Sequence, residues 1–263
     1  MDIVNYFLFW LVGLIAGMFA GLLGIGGGVI VVPLLFLIFQ QMDFPSDDIM
    51  PLAVATSLST MIVTGCASTL ARAKRRGFEK QTLFQFIPGI IVGCCVGVVA
   101  SKFIGGEILA KTFGVILFLM GIYSLIPKLP DLHFGTFTLT KKICWSTGIG
   151  FFSTLLGIGG GVIAVPVLMG FGLSFNKSAA LSSATTFLIA LFATVGYLIS
   201  GINLDDKFLT LGYIYLPASL FICLGSIISS PIGVKLAYLL PKDFLKSLFA
   251  IVLIATGITM IFH

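Results

Sequence analysis

The chain has 263 residues, 58% of them hydrophobic and 10% charged, with a mean hydropathy of +1.16. So little polar surface does not cover a soluble globule, and composition alone makes this a polytopic membrane protein. A formal net charge of +5 would suit a nucleic-acid partner, but the 15 Lys and Arg sit in short loops between apolar segments rather than in one stripe, which argues against that class.

The N-terminus carries Asp2 and no basic residue, which argues against a cleaved signal peptide. Ile3 to Phe39 is apolar throughout, 37 residues, where one span needs roughly 20. The run therefore holds one span and about half of another, and it is broken in its middle by Gly24-Ile25-Gly26-Gly27-Gly28. Consecutive glycines cost a helix roughly 1 kcal/mol each. Gly13, Gly17 and Gly21 recur at every fourth residue, the pattern of close helix contact.

Gln40 to Met50 reads as a loop with Asp43, Asp47 and Asp48, followed by a helix from about Pro51 to Ala71. That helix holds Ala55-Thr56-Ser57 near its start and ends in the basic cluster Arg72-Ala73-Lys74-Arg75-Arg76, read as topology-setting charge. Spans follow at Thr82 to Ser101, with Pro88 and the packing pair Gly93 and Gly97, and at about Leu109 to Ile126. Pro127 to Lys142 is the longest polar stretch and divides the chain into a first membrane repeat (1–127), a cytoplasmic linker (128–142) and a second membrane repeat (143–263).

The second half repeats the order of the first. Ile143 to Leu173 is another long apolar element, interrupted at Gly157-Ile158-Gly159-Gly160-Gly161. Gly24, Gly26, Gly27, Gly28 and Pro33 correspond to Gly157, Gly159, Gly160, Gly161 and Pro166 at a constant offset of 133. Further spans are expected at Lys177 to Ser200, at Phe208 to about Ser230 and at Phe244 to Phe262. Ala184-Thr185-Thr186 is matched to Ala55-Thr56-Ser57, and Pro217 to Pro88, both at offset 129. The chain reads as a duplication with five helical elements in each copy.

Both glycine copies resemble the signature of the TauE/SafE family of sulfite and organosulfur-anion exporters, and the resemblance covers nearly the whole chain. It implies an integral membrane anion transporter with sulfite or an organosulfonate, such as sulfoacetate or a taurine derivative, as its cargo. The match is incomplete, because Ser153-Thr154 stands in the second copy where the first has Ala20-Gly21.

Basic residues vote on topology. If each broken element enters and returns on the same side, 12 Lys and Arg are cytoplasmic and only Lys102, Lys111 and Lys207 lie outside. If each crosses once, the division is 9 to 6. The first count fits the positive-inside rule better. The expected fold is an all-α membrane protein with two inverted-topology repeats, the first element of each broken into re-entrant half-helices at its glycines.

Broken backbone at membrane depth survives only where it is buried in protein or lines a cavity, and a paired break points to a transporter's binding site. Val29 and Val162 would open short helices directly after the glycines, and helix N-termini attract anions. The expected substrate-binding set is Gly26, Gly27, Gly28, Val29, Thr56, Ser57, Gly159, Gly160, Gly161, Val162, Thr185 and Thr186, with the hydroxyls as added donors. The glycines could instead serve packing alone, and the hydroxyls could bond their own helix. A phosphate-binding loop is argued against by the absence of a following Lys-Ser/Thr.

Every Asp and Glu falls in a loop or at a segment end, so no carboxylate relay for protons is apparent. Cys66, Cys94, Cys95, Cys144 and Cys223 show no metal-ligand spacing, and His133 and His263 do not accompany them. The reading is therefore a secondary transporter, an exporter of a small anion, with no enzymatic activity, metal or cofactor. Its partners are the anion and the lipid bilayer of the plasma (inner) membrane, and a homo-oligomer is compatible with it. An anion channel is the first alternative, and a membrane enzyme of sulfur metabolism the second.

Overall fold

The computed structural model describes residues 3–24, 26–42, 44–73, 80–125, 138–201 and 209–262. Lys74, Arg75 and Arg76 of the basic cluster, most of the expected linker with Lys128, and Lys207 and Phe208 lie outside the described residues. The first half is α1 (Ile3–Leu23), α2 (Gly28–Gln40), α3 (Ser46–Ala73), α4 (Lys80–Ser101) and α5 (Gly106–Leu125). The second is α6 (Leu139–Leu156), α7 (Gly161–Gly170), α8 (Phe175–Ser200), a short hairpin β1 (Thr210–Leu211) and β2 (Ile214–Tyr215), then α9 (Leu216–Leu239) and α10 (Lys242–Phe262). The protein is an all-α membrane protein, with six helices long and apolar enough to span a bilayer among the described residues.

Both long apolar elements are broken where the glycines stand. α1 stops at Leu23 and α2 starts at Gly28; α6 stops at Leu156 and α7 starts at Gly161. Gly26 and Gly27 both hold φ of +82°, a left-handed turn that a side chain disfavours. At 13 and 10 residues, α2 and α7 are about 20 and 15 Å long, well short of a hydrocarbon core of about 30 Å.

Two boundaries differ from expectation. α3 begins at Ser46 rather than near Pro51, because Asp47 and Asp48 in its first turn favour the positive helix end and extend it upstream. α9 begins at Leu216, not Phe208, with Pro217 in the first helical positions where its missing N–H has no cost, and it runs on past Ser230 to Leu239. The hairpin before it was not foreseen; Gly212 turns it with φ of +58°.

Helix packing follows the glycines. Gly13, Gly17 and Gly21 of α1 seat against Ile222, Ser226 and Ser230 of α9, so these two helices run parallel. Gly89, Gly93 and Gly97 of α4 meet Ile143, Thr147 and Phe151 of α6, again parallel. Gly114 of α5 lies against Gly257 and Ile261 of α10, and Gly121 against Ile254 and Ala250, so α5 and α10 run antiparallel. Exchanging α1–α5 for α6–α10 leaves these pairings, and that of α3 with α8, unchanged. Outer faces stay apolar, as with Phe84, Val92, Val96 and Val99 on α4 and Leu220, Leu224 and Ile227 on α9, which suits contact with lipid tails. The most enclosed spans are α3 and α8, which embrace both breaks.

Candidate functional site

Each break folds back on its own helix. A Cβ built on Gly27 would meet the Ala16 carbonyl of α1 at 2.8 Å, and one on Gly160 would meet Ile149 of α6 at 3.3 Å. Ala16 and Ile149 differ by the same 133 positions as Gly27 and Gly160, so the two turns are built alike. They differ in detail, since Gly27 is left-handed and Gly160 is right-handed at φ −58°.

The two breaks also touch each other. A Cβ on Gly28 would collide with the Gly157 carbonyl and with Met61 Cε, and would come within 2.9 Å of Ile158 Cα. Gly26, Gly27, Gly28, Gly159, Gly160 and Gly161 are all buried, and Val29 and Val162 are 0% and 2% exposed. Helix bonding in α2 starts from the Gly27 carbonyl, which accepts from Ile30 and Val31; in α7 the Gly160 carbonyl accepts from Ala164. By helix geometry the amides of Gly28, Val29, Gly161 and Val162 have no acceptor within their own helices. The structure thus buries the glycines and both valines of the expected set, and seats Gly28 against Gly157 and Ile158 of the second break.

Hydroxyls from α3 and α8 hold the breaks crosswise. Ser57 donates to the Gly157 carbonyl at 3.1 Å, and Ser182 donates to the Gly24 carbonyl at 3.0 Å. Each serine thereby clamps the break of the other half. Thr64 Oγ1 donates to the Gly26 carbonyl at 3.2 Å. Thr185 faces Gly160 but bonds the Ser182 carbonyl of its own helix, and Thr186 packs against Gly26 with its buried hydroxyl unpartnered. Thr56 takes a different place: its oxygen accepts the Tyr215 amide at 3.0 Å and anchors the hairpin end.

These bonds show which residues of α3 and α8 are equivalent. Ser57 and Ser182 do the same job at an offset of 125, so the pairing of Ala55-Thr56-Ser57 with Ala184-Thr185-Thr186 at 129 does not hold for this contact. Ser182 was missed, although Ala55-x-Ser57 beside Ala180-x-Ser182 would have pointed to it. Arg72 was also missed. Read as topology-setting charge, it is 2% exposed and donates to the Gly21 carbonyl at the end of α1, at 2.6 Å.

The profile of the family described as sulfite exporter TauE/SafE matches residues 9–260. The chain belongs to that family. A relative in Haemophilus influenzae, described as a probable membrane transporter protein, is 32% identical over 95% of this chain and 96% of its own length. The probable membrane transporter protein MJ0441 of Methanocaldococcus jannaschii is 29% identical over 95% and 93%. YunE of Bacillus subtilis, with the same description, is 28% identical over 75% and 80%. No solved structure matches the chain. This TauE/SafE protein is a multi-pass membrane transporter, not an enzyme, consistent with residence in the plasma membrane.

Proposed function

We propose that the protein is a carrier that exports a small sulfur oxyanion or sulfonate, and that its two halves are inverted repeats whose broken elements enter and return. The contact of Gly28, at the N-terminus of α2, with Gly157 and Ile158 of the second break carries the reading, because it brings the start of one short helix against the break that opens the other. Two positive helix ends in a low-dielectric setting attract an anion without a neighbouring cation. Inversion is supported by α5 and α10, equivalent helices that lie antiparallel. Single crossings by the broken elements would make them parallel.

A site closed on itself favours a carrier over a channel. At Gly26 and Gly28 there is no room even for a methyl group, so an anion enters only when the breaks part. With the cell interior negative, an anion gains about 2.3 kcal/mol per charge per 100 mV on moving outward, so export needs no further coupling. The test is purified protein in liposomes with sulfite, preceded by a thermal-shift screen against sulfite, sulfate, thiosulfate, taurine and sulfoacetate. Saturable, trans-stimulated flux and a raised melting temperature with one of these anions are expected. Conductance far above carrier turnover would make it a channel, and no shift or flux with any of them would remove the substrate class.

A further inference from the structure

Arg72 closes a track of polar residues along α3. Thr56, Thr60, Thr64, Ser68 and Arg72 follow one another at every fourth position, each at most 2% exposed. Side chains four apart lie nearly above one another on a helix, so the track winds along about 24 Å of α3. Thr64 reaches the first break at the Gly26 carbonyl, and Arg72 reaches the end of α1 at the Gly21 carbonyl. At that same Gly21, α9 brings up Ser230, whose hydroxyl is buried and unpartnered.

The second half offers a built-in comparison. Tyr197 Oη donates to the Thr154 carbonyl at 3.3 Å, tying α8 to the end of α6. Arg72 and Tyr197 differ by 125 positions, as Ser57 and Ser182 do, while Gly21 and Thr154 differ by 133, as Gly24 and Gly157 do. The two bonds are therefore equivalents. A neutral phenol performs the helix-end tie in one half, so the tie itself does not require a charge. Yet the first half keeps a guanidinium there, buried in the protein where an ionised group is costly.

We propose that Arg72 is the anion-capture residue of this carrier. It draws the substrate from the end of the molecule where α3 terminates onto the α3 track, its donors passing from the Gly21 carbonyl to the anion. The second half, whose helix-end tie carries no charge, is the release side, and the membrane potential sets the net direction. This rests on the anion-carrier reading above.

The test compares Arg72→Gln, which keeps a donor for Gly21, with Tyr197→Phe, which removes only a helix-end tie. In proteoliposomes, the sulfite concentration giving half-maximal flux should rise about tenfold or more in Arg72→Gln, the loss of a charged hydrogen bond. Tyr197→Phe should stay within about twofold of wild type, since no charged bond is lost. An unchanged value for Arg72→Gln, or an equal rise in Tyr197→Phe, would overturn the assignment. Should Arg72→Gln not fold, Arg72→Tyr decides, because it restores the tie in the form the second half uses: a rise supports capture and an unchanged value refutes it. Absence of sulfite flux in the wild-type protein would instead defeat the carrier reading and this inference with it.

Discussion

A single methyl group at the junction of the breaks tests the core of the site. In Gly28→Ala the new Cβ meets three neighbours: Met61 Cε, the Gly157 carbonyl oxygen and Ile158 Cα, the last at 2.9 Å. A methionine tip can swing aside, but the other two atoms belong to the backbone of the opposite break. Relief requires the two breaks to move apart, and overpacking of this kind costs about 1–3 kcal/mol. Gly148→Ala is the matched control, since Gly148 lies inside α6 with nothing within 4 Å of its Cβ position. Replacing a mid-helix glycine there should stabilise by roughly 0.5–1 kcal/mol. Thermal unfolding in detergent and sulfite flux in proteoliposomes are measured on both variants. Gly28→Ala should melt below wild type and lose flux while still inserting, and Met61→Ala should not rescue it. Wild-type stability and flux in Gly28→Ala would refute the claim that the breaks must close on each other.

Ser57→Ala and Ser182→Ala should destabilise to a similar extent, about 1–3 kcal/mol each for a buried carbonyl left short of a donor; unequal losses by thermal unfolding would break the equivalence of the two clamps. Thr186→Val removes a buried hydroxyl with no partner, so the empty protein should hold or gain stability while half-maximal sulfite flux moves to higher concentration; a fall in melting temperature would return Thr186 to packing. For topology, Lys102→Cys and Lys177→Cys place thiols at two exposed positions. In a cysteine-free background an impermeant maleimide should label them from opposite sides of the membrane, and labelling from one side would favour single crossings.

The breaks were legible because glycine in apolar surroundings has few other uses, and because Gly24 to Pro33 recurs at Gly157 to Pro166. The helix contacts at Gly13, Gly17, Gly93 and Gly97 were legible for the same reason: close approach needs the smallest residue. Hydroxyl residues carry no such signature. Ser and Thr are interchangeable by eye, so Ala184-Thr185-Thr186 looked a better match to Ala55-Thr56-Ser57 than Ala180-Leu181-Ser182 did, and only the bonds to the Gly24 and Gly157 carbonyls decide between them. Arg72 was hidden in its neighbourhood. A lysine or arginine opening a basic cluster is ordinarily solvated, and its burial depends on the end of α1 lying across the last turn of α3.

Duplication makes such asymmetries readable. Two copies of one fold supply each position with a reference that shares its packing but not its chemistry. Where the copies agree, as in the serine clamps, the shared feature answers a demand of the fold: a carbonyl exposed by a broken helix must be bonded. Where they disagree at equivalent bonds, as Arg72 and Tyr197 do, the fold is satisfied either way, and the difference is free to serve transport. A carrier with identical halves would present the same face to both sides of the membrane. In the carrier proposed above, one buried guanidinium makes the two approaches to the junction electrically unlike.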